Sequence, residues 1–185
     1  AAARSRSAAV QPPAEEAALG RNIGGRDLEI PLSWFRYEEQ QVEGFARQID
    51  LRLSLALGPE TTPRYVEVTL LPRSRARPSS RLLDGVYLHR FLPTQLAGFP
   101  GLVGKPLSDK EGFVGETVWY DPLSVDPFFA KCSAPVAAGA SSRCVRTVHL
   151  GDGIAAVYVF DEDMLANWRS FDAVTEPLLR SIGVF

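Results

Sequence analysis

Two cysteines, two histidines and two small groups of carboxylates are the side chains whose type and spacing suggest chemistry. Cys132 and Cys144 both lie in strand-like sequence, joined by a connection of Ser, Ala, Pro and Gly. A zinc site would need further ligands, and His89 and His149 do not stand at finger-type spacing. A Cys-x-x-Cys redox pair is absent. That leaves two unlinked buried thiols or a disulfide, and we favour the disulfide because the flanking strands can face each other. Closing so short a loop contributes about 3 kcal/mol in the chain-entropy description. Such a bond persists in an oxidising compartment.

The histidines do not point to a hydrolase. No Gly-x-Ser-x-Gly or similar nucleophile context accompanies them. Both sit in strand patterns beside arginine or apolar residues, which suits a ring packed at a sheet surface and holding one hydrogen bond. Asp161, Glu162 and Asp163, or Asp121 with Asp126, suggest metal ligands by type alone. Adjacent carboxylates in the first turn of a helix point in different directions, however, and a cap at Asp161 with dipole compensation from its neighbours explains them more simply. Gly151-Asp152-Gly153-Ile154-Ala155-Ala156 matches G-x-G-x-x-A. A dinucleotide site needs a helix to start at that turn, whereas Val157-Tyr158-Val159-Phe160 read as a strand. No catalytic residue, cofactor or metal site is assigned, and the balance leans away from an enzyme.

Two stretches suggest contacts instead. Residues 72–81 carry Arg73, Arg75, Arg77 and Arg81 with no acid among them. They form either a solvated loop or a contact for phosphates, acidic lipid or an acidic partner. Residues 96–107 are punctuated by Gly and Pro and carry Phe99, Leu102 and Val103. These are tucked under the sheet or exposed for a partner, and tucking is the preferred reading.

The elements that must position these groups follow from periodicity. Ile49, Leu51, Leu53, Leu55 and Leu57 alternate with Asp50, Arg52, Ser54 and Ala56, which predicts a strand with one wet face. Residues 64–72 return antiparallel to it. Residues 27–30, 81–93 and 112–121 give further strands, with Pro31 ending the first. Asp152-Gly153 between two apolar runs predicts a tight hairpin requiring positive φ. Beyond it, Met164, Leu165, Trp168, Phe171, Thr175, Leu178, Leu179 and Ile182 form one apolar helical stripe, which Pro177 should kink or split near Thr175. The expected fold is α+β: an antiparallel meander sheet of six or seven strands with a C-terminal helix packed on one face. Residues 1–21, rich in Ala, Ser and Pro, read as a flexible linker or tether, and residues 22–185 as one domain.

Composition narrows the class. The chain is 45% hydrophobic and 23% charged with a net charge of −2, which argues against a general nucleic-acid binder. It lacks the roughly 18 consecutive apolar residues of a membrane-spanning helix.

The opening GGRDLEIPLSWFR, the alternating QIDLRLSLAL and the late CVRTVHLGDGIAAVYVFDEDMLANW resemble a group of uncharacterised, N-terminally membrane-anchored periplasmic proteins of proteobacteria. The resemblance spans roughly residues 22–182 and implies one periplasmic domain with a cysteine pair, tethered to the inner membrane by an anchor preceding residue 1. It carries no catalytic residue. More loosely, the early Ile30-Pro31-x-x-Trp34, the meander and the closing helix look like a PsbP/Mog1-type sandwich, an analogy of fold alone. The function expected from this is a non-catalytic extracytoplasmic interaction or accessory module. It would serve membrane-associated protein partners as a subunit of an inner-membrane assembly. An immunity-type inhibitor of an exported toxin and a hydrolase using His89 or His149 are the alternatives.

Overall fold

Strict alternation of leucine with polar residues makes Ile49–Leu55 a strand (β4) whose even-spaced apolar side chains are all buried. The computed structural model describes residues 16–59, 62–82, 91–108, 115–135 and 137–185. β4 pairs antiparallel with β5 (Arg64–Pro72), as the pattern predicts. The chain then leaves through a short helix, α1 (Ser79–Leu82), and reappears at the opposite edge as β6 (Val103–Pro106). From there β7 (Glu116–Tyr120), β8 (Phe129–Ser133), β9 (Arg143–Leu150) and β10 (Ile154–Asp161) meander back until β10 meets β5. Among the described residues this gives a seven-stranded antiparallel sheet in the order β4-β5-β10-β9-β8-β7-β6.

A second, smaller sheet was not anticipated. β1 (Ala18–Ile23) and β2 (Arg26–Pro31) form a hairpin, and the two-residue β3 (Gly44–Phe45) lies parallel to β1. Ala18–Arg21 therefore belong to a strand rather than to the tether expected over residues 1–21. Its register opposite Leu28 and Ile30 satisfies the β2 backbone on that side. Residues 1–15 lie outside the described residues. The turn of this hairpin seats against the β9–β10 turn. A Cβ at Gly24, which has φ +57°, would come within 2.4 Å of the Gly153 carbonyl oxygen, so only glycine fits there.

The C-terminal segment differs from one continuous capped helix. Residues Glu162–Asn167 form a 3-10 turn, and the α-helix proper, α2, spans Trp168–Ser181. Asp161 makes no side-chain cap and closes β10 instead. Pro177 neither splits nor ends α2. Pro177 and Ala173 both lie on the exposed side, where water can take up the carbonyl that proline leaves unbonded. The apolar stripe holds, with Met164, Leu165, Phe171, Thr175, Leu179 and Ile182 all buried. Phe171 is its centre: its ring lies 5.1 Å from Tyr158, 5.0 Å from Phe160 and 6.1 Å from Phe128.

The other face of the β6–β8 end has its own small core of Leu107, Val118 and Phe129, covered by Leu82 and Phe91 from the β5–β6 connection. The strand expected over residues 81–93 falls mostly on residues 83–90, outside the described residues, as does His89. β6 runs through the stretch expected to be a loop. A Cβ on Gly104 would come within 2.7 Å of the Trp119 ring, so the glycines that disguise this strand are what let Trp119 lie across it. In the β9–β10 hairpin the positive φ falls on Gly151 (52°) rather than on the Asp-Gly pair. The loop comprises Gly151, Asp152 and Gly153, because Leu150 still pairs with Ile154.

The wet face of β4 holds one buried charge. Asp50, 7% exposed, accepts bonds from Thr69 Oγ1 (2.7 Å), Gln40 Nε2 (2.8 Å) and Gln48 Nε2 (3.0 Å). Burial alone pushes its carboxyl upward, but these three donors and nearby Arg36 hold it below the ordinary aspartate value. The stabilisation is therefore present at neutral pH and lost as pH falls through the depressed folded-state value. Asp50→Asn should lower stability by roughly 1–3 kcal/mol at pH 7. It should also flatten the acid limb of the stability–pH curve, as read by urea unfolding midpoints.

Candidate functional site

The cysteines are joined. Cys132 of β8 and Cys144 of β9 face each other in register and form a disulfide. The ladder between these strands runs only from Ser133↔Arg143 to Lys131↔Val145. Beyond Val145 the two strands part, and segment 125–128, which leads into β8, diverges from residues 146–149 of β9. The arginine segment fills part of the opening. Ser79 Oγ accepts the Thr147 backbone N–H at 2.7 Å, standing in for the missing strand. His149 Nε2 meets the Ala76 carbonyl at 2.7 Å, so that nitrogen carries the proton and donates.

What remains open is a cleft of about 840 Å³. Its basic groups are Arg73, Arg81, Arg146 and His149; its acidic ones are Asp126 and Asp172. Asp126 Oδ1 is taken by Ser80 Oγ at 2.8 Å. Arg146 forms the floor. Its side chain is 8% exposed, its Nη2 donates to Asp172 Oδ2 of α2 at 2.9 Å, and its guanidinium lies 4.2 Å from the Phe128 ring centre. Arg146 Nε is buried with no hydrogen-bond partner among the described residues. Asp172 and Phe128 thus fix the guanidinium at the base of the cleft, while its Nε–H is closed off from solvent.

The four arginines singled out from the sequence do not act together. Arg73 and Arg81 line the cleft. Arg75 turns away and donates to the Arg47 carbonyl at 3.1 Å, and Arg77 is exposed outside it. Phe99, Leu102 and Val103 are spent on folding. Phe99 meets Trp119 edge-on at 4.8 Å, Leu102 is 6% exposed, and Val103 begins β6. Arg146 was missed in the sequence reading. The usable signal was its alternation with Cys144, Val148 and Leu150, which puts an arginine on a core-facing position of β9.

The acidic group at the end of β10 is ion-paired, not capping. Arg143 bonds Asp161 at 2.9 Å and Glu67 at 3.4 Å, Arg36 reaches Glu67 at 3.2 Å, and Arg64 lies 3.5 Å from Asp161 and also contacts Asp163. Asp121 Oδ1 accepts the Leu123 N–H. Glu162 stands apart from this network, its carboxylate within 4.8 Å of both sulfurs; joined to each other, those sulfurs offer no thiolate to a metal. Gly151-Asp152-Gly153 opens onto β10, so no helix N-terminus follows the G-x-G-x-x-A match. Among the described residues no helix is long and apolar enough to cross a membrane.

No known protein family, curated protein or solved structure matches the chain. The cleft therefore has to be read from its own chemistry.

Burial pushes the Glu162 carboxyl above its usual 4.5. The folded state then holds its proton more tightly than the unfolded chain, so stability is greatest below the unfolded value and declines as pH rises through the raised one. Glu162→Gln should remove that decline. Urea midpoints of the two proteins should converge near pH 4 and separate in favour of the variant by about pH 7.

Proposed function

We propose that the chain is a non-catalytic, extracytoplasmic interaction module that captures an acidic group of its partner in the cleft between β8 and β9. One observation carries this reading: Arg73, Arg81, Arg146 and His149, drawn from two separate parts of the sequence, converge on one open cleft. His149 is fixed at the cleft by its Nε2–H bond to the Ala76 carbonyl, and no Gly-x-Ser-x-Gly or similar nucleophile context accompanies it. The extracytoplasmic part rests on the Cys132–Cys144 bond, which is compatible with an oxidising compartment. In that setting the module would serve as an accessory subunit of an inner-membrane assembly, tethered through the segment that precedes β1.

Affinity capture from detergent-solubilised membranes tests the cleft. Reversing Arg73 and Arg81 to Glu should weaken capture of membrane partners at least about tenfold, since a charge-assisted hydrogen bond contributes roughly 1.5–3 kcal/mol. Reversing Arg75 and Arg77 instead should leave most of it. Equal loss from the two pairs would show that only overall charge matters and that the cleft is not the site. For the compartment, intact mass under non-reducing alkylation should find no free thiol in natively expressed protein. Two alkylated cysteines would remove the extracytoplasmic assignment.

A further inference from the structure

The segment that forms one wall of the cleft carries a feature the fold does not use. Leu123 is 92% exposed and Val125 fully so, the two most exposed large apolar side chains among the described residues. They are separated only by Ser124. The segment is braced rather than slack. Asp121 Oδ1 holds the Leu123 N–H at 3.0 Å, Ser124 Oγ donates to the Asp126 carbonyl at 3.1 Å, and Ser80 Oγ reaches across to Asp126 Oδ1. Pro122 and Pro127 flank it and limit the backbone further. Two aliphatic side chains are thus held out into solvent, Val125 on the lining of the basic cleft and Leu123 two residues before it.

We infer that the cleft takes the headgroup of an anionic phospholipid at a bilayer surface, with Leu123 and Val125 dipping into the acyl boundary beside it. This rests on the reading of the cleft as an anion site and names its occupant. The charges suit a phosphodiester. Arg73 and Arg81 line the cleft, Arg146 lies enclosed at its base, and the two lining aspartates already hold other partners, Asp126 with Ser80 and Asp172 with Arg146. Arg77 is exposed on the same segment, within reach of the surface potential of an anionic leaflet. Charge alone would serve an acidic protein equally well. The paired aliphatic rim decides for lipid, because an apolar tip next to basic groups matches the layered polarity of a membrane interface, whereas the rim of a protein contact is ordinarily polar.

The test uses the full chain and sedimentation with vesicles of phosphatidylcholine alone or of equal parts phosphatidylcholine and phosphatidylglycerol. Glycerol phosphate serves as the soluble headgroup probe and a poly-glutamate peptide as the acidic-protein probe. The native chain should sediment with the mixed vesicles and not with the neutral ones. Arg73→Glu with Arg81→Glu should weaken this about tenfold or more. Leu123→Ser with Val125→Ser, which removes the aliphatic groups without adding charge, should weaken it by a similar factor while leaving glycerol phosphate binding largely intact. All four positions lie on the surface, so circular dichroism melts should show native stability for both variants.

Vesicle binding indifferent to the Leu123/Val125 change would overturn the inference. So would a native chain that binds poly-glutamate through Arg73 and Arg81 yet ignores mixed vesicles; the cleft would then remain an anion site for a protein partner. If the arginine reversals alter neither vesicle, glycerol phosphate nor peptide binding, the cleft reading itself fails along with the inference.

Discussion

Six registered residue pairs join β5 to β10, and through them a hairpin made early in the chain is completed by the last strand. That contact dictates most of the layout. With β5 committed to β4 on one side and β10 on the other, the chain leaving β5 cannot add its next strand there. It must travel to the far edge, start β6, and fill the sheet inward. The described parts of the connection, residues 73–82 and 91–102, supply Leu82 and Phe91 to the smaller core and bring the arginine segment alongside β9.

The cleft follows from a second constraint. β8 is only five residues long and pairs with the first part of the eight-residue β9. The remainder of β9 needs partners for its backbone, and Ser79 provides one. From the opposite face α2 sends Asp172 to the guanidinium of Arg146. A charge placed among core-facing positions would be costly without that carboxylate; with it, Arg146 becomes a fixed base for the opening. The disulfide lies one residue pair from the point of divergence, so the covalent bond marks the closed end of the fork.

Features set by local pattern were legible in the sequence. Alternation identified β4 and β5, the turn residues located the β9–β10 hairpin, matched strand patterns suggested the cysteine pairing, and three- and four-residue steps gave the stripe on α2. What could not be read depended on distant partners. Asp161 looks like a helix cap until Arg64 and Arg143 arrive from elsewhere in the sheet. Gly104 looks like a loop residue until Trp119 lies on it. Asp50 sits on a strand face that alternation marks as wet, yet Gln40, Gln48 and Thr69 enclose it. Of the cleft, the arginine segment, His149 and Asp126 drew notice in advance, but as separate features rather than as one site. Arg146 was detectable in principle from its phase in β9, but its meaning required the divergence of β8, which leaves no trace in composition or spacing.

The charged network across β5, β9 and β10 is built with shared members: Glu67 serves Arg36 and Arg143, Asp161 serves Arg143 and Arg64, and Arg64 also contacts Asp163. Exposed pairs of this kind each contribute about 0–1 kcal/mol. Sharing means that a replacement at any one position leaves most of the others still matched. This part of the surface can therefore absorb sequence drift one residue at a time, whereas the buried floor of the cleft, where Arg146 has a single carboxylate partner, has no such redundancy.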